Sequence, residues 1–364
     1  MKEYLFTSES VTEGHPDKVC DKISDKILDE ALKVDPDSHM AVEVTIKDNL
    51  IFIYGEANTK ANLDYEKIAA WVLNDIGYHE QYQFLIKISK QSEEINEAVV
   101  KEDQRIGAGD QGIMFGYACD ETENYMPLPI VLAHKLAYQL TLIRKNDPTT
   151  FLLPDGKSQV TVLYQNDKPV KVTTIVLAAQ HKKEVSSEEL KSFLVKNVIE
   201  KVISKDLIDS DTEIIINGAG SFTIGGPYGD SGTTGRKIVV DSYGGMARVG
   251  GGCFSSKDPS KVDRTAAYYA RYVARNIISH QLAHRVEIGL AYVIGKEKPV
   301  SIFIDTFGTE IVSMKEIYDY VYHNFDFSVT NMIEELDLKR PIYYDLAAYG
   351  HFGRKGYSFE QDKK

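Results

Sequence analysis

Cysteine is scarce in this chain of 364 residues: Cys20, Cys119 and Cys253 lie far apart and form no CxxC pair. That excludes a zinc site built from cysteines and argues against a disulfide framework, so the cytoplasm is the expected compartment. Long apolar runs are missing too. No stretch approaches the roughly 20 apolar residues that cross a bilayer. The opening MKEYLFTSES has no hydrophobic signal region, so export is not expected. Positive charge is in short supply: 42 Lys and Arg against 54 Asp and Glu leave a formal net charge of −12. A body this acidic repels nucleic acid and anionic membranes, and neither is expected as a partner.

What is present is enough for a large folded protein. The hydrophobic fraction, 43%, excludes disorder, and the length predicts two or three domains. Charge is unevenly spread. From Gly225 to Arg275 eight Lys and Arg stand against four Asp, a local excess of four positive charges. A basic island in an acidic protein suits a small polyanion.

Periodicity predicts a helix over 17–33, where Val19, Ile23, Ile27 and Ala31 recur on one face. Asp21, Asp25 and Asp29 fall on the other side and read as a solvated face paired with lysines. HMAVEVTI and LIFIYGE flank a KDN turn as a hairpin, and 64–78 reads as a helix ended by Gly77. The order returns with a helix over 129–145, strands SQVTVLY and VKVTTIVLAAQ, and a helix over 186–203. A third round follows: a helix over 260–278, strands RVEIGLAYVIG and PVSIFIDTFG, and a helix over 313–325. Helix, hairpin, helix three times predicts an α+β fold of three similar domains in a pseudo-threefold arrangement, each a mixed sheet covered by helices. The expected divisions are 1–100, 101–224 and 225–364. Between them lie a long polar stretch over 90–112 and a tract from Gly218 to Gly252 holding 12 of the 26 glycines. Glycine at that density would let backbone approach a ligand closely.

Several motifs mislead. GDSG at 229–232 lacks the all-β context of a serine protease, and GAGSFT at 218–223 lacks the third glycine of a dinucleotide fingerprint. HQLAH at 280–284 has Gln281 where a zinc protease needs glutamate. GGGCFSSKDPSKVDR at 250–264 has Lys257 in Walker register but lacks the second glycine and the hydroxyl after the lysine. More promising is SESVTEGHPDKVCDKISD. His15 and Asp17 sit at a helix start, where free N–H groups attract anions, and Asp17 could hold a hard cation. Helix capping is the plain alternative. The paired loops GPYGDSGTTGRK and GGGCFSSKDPSKVDR add Arg236, Lys237, Lys257, Lys261 and Arg264, with Asp230 and Asp263 between them. Such a set could neutralise a polyphosphate and bridge to it through Mg²⁺.

Along essentially its whole length the chain resembles the S-adenosylmethionine synthetases. The matching stretches are FTSESVTEGHPDKVCDKISD, GAGDQGIMFGYA, DGKSQV, IGGPYGDSGTTGRKIVVDSYGGMARVGGG, FSSKDPSKVDRTAAYYARYVA and AAYGHFGR. The resemblance implies a reaction of ATP with L-methionine, in which sulfur attacks the ribose C5′ and displaces triphosphate, later cut to pyrophosphate and phosphate. It assigns catalysis to His15, Lys157, Arg236 and Lys257. ATP would be held by His15, Asp155, Lys157, Ser221, Phe222, Asp230, Arg236, Lys237 and Lys257, and methionine by Glu56, Gln91, Asp230 and Lys261. Asp17 would bind Mg²⁺ and Glu43 K⁺, with Asp263 a further metal candidate, Asp110 a supporting carboxylate and Lys18 part of the same HPDK motif. Two Mg²⁺ per site and one K⁺ per subunit are implied. So are a mobile lid over 91–101 and a homodimer or homotetramer with active sites at the subunit interface.

The sequence departs from the family pattern at Ser221 (for arginine), Cys253 (for alanine) and Ser256 (for glycine), and its tail is short. The competing expectation is another Mg-dependent ATP-using phosphotransferase or ATPase. A non-catalytic relative should have lost His15, Asp17 or the lysines, and all are present.

Overall fold

A computed structural model describes residues 2–90 and 106–363. Its strands form three sheets, each centred on one of the expected hairpins. The first hairpin joins β2 (His39–Lys47) to β3 (Leu50–Asn58), turning at Asp48 with φ +51°. The second joins β6 (Leu152–Gln165) to β7 (Lys168–His181) through Asn166 and Asp167, both left-handed, as a tight hairpin turn requires. The third joins β10 (Arg285–Tyr292) to β11 (Ser301–Asp305).

Each hairpin recruits a strand from another third of the chain. β1 (Glu3–Val11) lies antiparallel to β6, β5 (Gly112–Cys119) antiparallel to β10, and β9 (Gly232–Thr233) antiparallel to β2. Two parallel edges complete the sheets: β4 (Gln83–Ser89) on β3 and β8 (Glu213–Ile216) on β7. Strand orders are therefore β1-β6-β7-β8, β11-β10-β5 and β4-β3-β2-β9. Periodicity alone did not suggest the recruited strands, because their partners lie far away in sequence.

Helices cover these sheets. α1 (Pro16–Val34) packs on β2 and on α2 (Tyr65–Ile76), whose end is Gly77 at φ +104°. α3 (Leu128–Asn146) packs on β6 and β1, and α5 (Val262–Ser279) packs on β5 and β10. α4 (Ser187–Leu194) is capped by Ser186, then loosens into one π turn at Val195–Ile199, so the helix expected over 186–203 is not uniform. α6 (Met314–Asn324) opens on a capping box of Ser313 and Glu316. One apolar cluster fills the sheets around β2 and β10, and a second fills the sheet around β6 under α3 and α4. No helix of the described residues is long and apolar enough to cross a membrane.

The second face of α1 contradicts the sequence reading. Val19, Ile23, Ile27 and Ala31 are buried as expected, but Asp21, Asp25 and Asp29 are buried too, at 0%, 0% and 4% exposure. They are not a solvated face. Loops from the C-terminal third cover that side of the helix, and the carboxylates satisfy those loops' polar groups. Asp21 accepts from the Gly235 N–H (2.8 Å) and pairs with Lys18 (3.0 Å). Asp29 accepts from the N–H groups of Tyr343 (3.0 Å) and Tyr344 (2.9 Å). Asp25 takes both guanidinium nitrogens of buried Arg264, Nη1 at 2.9 Å and Nη2 at 2.6 Å.

Removing one partner of such a pair leaves the other charge buried and uncompensated. Asp25→Ala is therefore expected to lower unfolding free energy by about 3–5 kcal/mol. Urea denaturation checks this, and a loss no larger than that of an exposed Asp→Ala variant would refute the account.

Candidate active site

The first group of candidate residues assembles at the start of α1. Pro16 occupies the first turn and His15 is the N-cap. The His15 Nδ1 accepts from the Asp17 N–H at 3.2 Å, so in the neutral ring the proton sits on Nε2. Neutrality is enforced: burial first, then Lys237 and Lys157, push the His15 pKa down to about 3, against the pull of Asp17 and Asp230.

Asp17 is buried. Its Oδ1 accepts from the Thr233 N–H (3.0 Å) and lies 3.4 Å from Arg236, while its Oδ2 takes Lys237 Nζ at 2.7 Å. Burial alone would raise its pKa, but Lys237 and the Thr233 N–H outweigh that and hold it below the usual carboxylate value. The loop carrying these partners reaches α1 because Gly232 lacks a side chain. A Cβ there would sit 2.1 Å from the Pro16 carbonyl oxygen.

β6 brings Asp155 and Lys157 to the same place. Lys157 is exposed, opposite Val11 of β1, and its charge reaches both His15 and Asp155. Asp155 is buried and accepts from the Gly226 N–H at 2.8 Å; burial pushes its pKa up to about 6. Phe222 is tied to the end of β7, its N–H donating to His181 Nε2 (3.3 Å) and its carbonyl accepting from the His181 N–H (3.0 Å). Ser221 beside it is exposed, as are Asp230 and Arg236.

A second group gathers at the other end of the glycine tract. Lys257 pairs with Asp263, and Lys261 pairs with Asp258. Asp258 is buried, and its pKa stays below the usual value because Lys261 and His39 overcome the effect of burial. Ala41 of β2 stands opposite Glu56 on one side and bridges to Lys257 on the other, so Glu56 and Lys257 flank one strand. Glu43, two residues along, is partly buried and accepts from the Tyr54 hydroxyl at 3.3 Å. Asp110 is exposed just before β5, whose first residue Gly112 lies against Asp263. Gln91 and the expected lid over 91–101 lie outside the described residues.

One clamp joins the two groups, and sequence reasoning missed it. Asp25 accepts from the Ser255 hydroxyl (2.9 Å) and the Ser256 N–H (3.2 Å), while its partner Arg264 donates to the Lys257 carbonyl at 3.0 Å. The pair thus grips the chain on both sides of the Ser256–Lys257 link. The available signal was the four-residue aspartate spacing continuing from Asp17, with Arg264 at the end of the glycine tract. Lys18 is likewise internal, held between Asp21 and Asp241. Several glycines of the tract also differ from expectation, because protein and not ligand is what lies against them. At Gly232 and Gly252 the close approach is made by protein, since a Cβ on Gly252 would sit 2.1 Å from the Asp263 side chain.

The donor set fits a hard cation that arrives with phosphate oxygens. Among the described residues no three His, Cys, Asp or Glu side chains form a cluster that could hold a metal alone. Mg²⁺ is commonly held by one or two carboxylates plus substrate phosphates, and Asp17 and Asp263 each offer one carboxylate already facing a lysine. Glu43 presents one partly buried carboxylate.

Comparison with known families matches three consecutive stretches. Residues 3–100 match S-adenosylmethionine synthetase, N-terminal domain; residues 105–222 match its central domain; residues 224–361 match its C-terminal domain.

Ser256 is the departure that the geometry makes costly. It is buried at φ +82°, a left-handed conformation that favours glycine, and its hydroxyl has no hydrogen-bond partner among the described residues. Ser256→Gly keeps the N–H bonded to Asp25 and removes both burdens. It is expected to raise stability by about 1–2 kcal/mol, the release of strain and of an unpaired hydroxyl less glycine's extra chain entropy. A urea midpoint that falls would show that the strain is not there.

Proposed function

The chain belongs to the S-adenosylmethionine synthetase family and is a methionine adenosyltransferase, and from that premise we propose how its residues divide the work. The family implies ATP and methionine as substrates and a requirement for metal ions. In our reading the methionine sulfur forms a bond to the ribose C5′ as the C5′–O bond breaks. Intact triphosphate leaves, and water then cleaves it to pyrophosphate and phosphate.

A thioether is a weak nucleophile, so it must be held in line with its target, and triphosphate leaves well only if its growing charge is absorbed. The observation that carries this reading is the neutral histidine set among cations. His15 accepts from the Asp17 N–H on Nδ1, which leaves Nε2 as the nitrogen that can donate to the leaving oxygen. Lys157, Arg236 and Lys237 surround it and would hold the triphosphate, with Lys257 contributing from the second group. Asp155, Ser221, Phe222 and Asp230 would take the nucleoside end, Phe222 offering its ring to the base. Glu56, Gln91, Asp230 and Lys261 would take methionine.

When bound, Mg²⁺ would screen the phosphate charge. Asp17 and Asp263 would hold two such ions, and Glu43 one K⁺. Until then Lys237 and Lys257 neutralise the two aspartates.

We infer that two copies complete each site, in a homodimer or homotetramer. The outer sheet faces support this. Phe52 and Leu85 share one row of the β4-β3-β2-β9 sheet and are exposed, as is Phe303 on the β11-β10-β5 sheet. Apolar faces of this kind mark contact surfaces, and the second of the two sheets adjoins Asp263 through Gly112. The three cysteines are all free, which suits the cytoplasm.

Purified protein with ATP, Mg²⁺ and K⁺ should form S-adenosylmethionine only when methionine is added. Methionine-independent conversion of ATP to ADP, with no sulfonium product, would overturn the proposal. His15→Ala should lower kcat by about 100-fold or more while ATP affinity changes far less. Equal losses in both would instead make His15 a simple binding group.

A further inference from the structure

A cavity of about 320 Å³ opens between α3 and the turn at 349–354. Its size lies within the roughly 300–1,000 Å³ typical of ligand clefts. None of its lining residues belongs to either group of candidate active-site residues. The turn is part of AAYGHFGR, a stretch that carries the family resemblance but has no part in the reaction derived above.

The walls are mostly apolar and aromatic. Met126 and Val131 face Tyr138, Tyr349 and Phe352, and the Tyr138 and Tyr349 rings meet edge to face at 5.1 Å. Two cations, Lys135 and Arg354, also line the cavity, and no carboxylate does. Neither cation is in an ion pair among the described residues, and the Arg354 guanidinium carbon lies 5.6 Å from the centre of the Tyr357 ring. Arg354 is nonetheless fixed, its Nη1 donating to the carbonyls of Asp345 (2.5 Å) and Ala348 (3.2 Å). Both cations border one mostly apolar hollow in a chain whose net charge is −12.

The cavity is also built, not left over. Buried His134 contributes to its lining. Its Nδ1 lies 2.8 Å from the Ser10 hydroxyl, and its Nε2 has no partner among the described residues. The turn closes over that ring only because residue 350 is glycine, where a Cβ would sit 2.4 Å from Nε2. Gly353, at φ +78°, passes so close to Met126 that a Cβ would meet its Cγ at 2.7 Å. Tyr349 adopts φ +65°, a conformation that a non-glycine residue holds only when its surroundings compel it. Its hydroxyl is anchored at both ends, donating to the Thr141 hydroxyl (2.7 Å) and accepting from the Glu13 N–H (3.1 Å).

We propose that this cavity is a second ligand site, for a small aromatic anion whose flat body packs on Met126, Val131, Tyr138 and Phe352 while Lys135 and Arg354 take its negative head. The aromatic walls favour a planar body by stacking and edge contacts. The paired cations favour one carboxylate, sulfonate or phosphate group and reject a cationic ligand.

The test is fluorescence titration of the full chain with 8-anilinonaphthalene-1-sulfonate. Saturable binding at a single site per chain is expected, and ATP should not displace the dye. Lys135 and Tyr138 are exposed at the rim, so Lys135→Glu and Tyr138→Ala should fold normally. Each should weaken binding about tenfold, the effect of losing roughly one good contact. Lys315→Glu, on the exposed side of α6, should change nothing. The uncharged N-phenyl-1-naphthylamine should bind at least about tenfold more weakly than the sulfonate, for the same reason. Absence of saturable binding, equal affinity for the uncharged dye, indifference to Lys135→Glu, or displacement by ATP would each overturn the proposal.

Discussion

α1 presents four aspartates at four-residue spacing, and the loops of the candidate site hang from them. Asp17 holds Thr233 and Lys237, Asp21 holds Gly235, Asp25 holds Ser255, Ser256 and Arg264, and Asp29 holds Tyr343 and Tyr344. A buried carboxylate without partners is strongly unfavourable, and so is a buried N–H without an acceptor. Each solves the other's problem. The apolar stripe of the same helix seats it on β2, so the loops and the sheet take their relative positions from a single rigid element.

This arrangement explains how a tract so rich in glycine can serve as a precise scaffold. Glycine makes a loop permissive, and permissiveness alone would leave Arg236, Lys237 and Lys257 poorly placed. Here backbone groups at Thr233, Gly235 and Ser256 are pinned directly to carboxylates, and the Lys257 carbonyl is pinned through Arg264. The conformational entropy is removed during folding and need not be lost again when substrate arrives. The cations are also pre-neutralised. Lys237, Lys257 and Lys261 each face an aspartate, so these three charges are balanced within the protein.

Exchange of strands among the three sheets has a related consequence. β9, only two residues long, joins β2 immediately before Thr234, Gly235 and Arg236, so the sheet edge delivers the loop to α1. β1 runs beside β6, so Val11 and Lys157 stand opposite one another just ahead of His15. The site therefore draws on segments more than 200 residues apart in sequence, such as Asp17 and Lys237.

Much of this was legible in the chain alone. The helices and hairpins follow from local periodicity and turn residues, as at Asn166-Asp167 and Gly77. The candidate residues, from His15 and Asp17 to Lys257 and Asp263, stand in motifs whose kinship is recognisable without coordinates. Tertiary structure decided what covers each surface. Asp21, Asp25 and Asp29 were visibly on a different face from Val19 and Ile23, but a period only separates faces and cannot say whether water or protein lies against the second one. That depends on which remote loop arrives there. The pairing of β1, β5 and β9, the clamp of Arg264 on Lys257 and the burial of His15 are all of this kind. Each is set by groups distant in sequence, whose proximity only the folded packing creates.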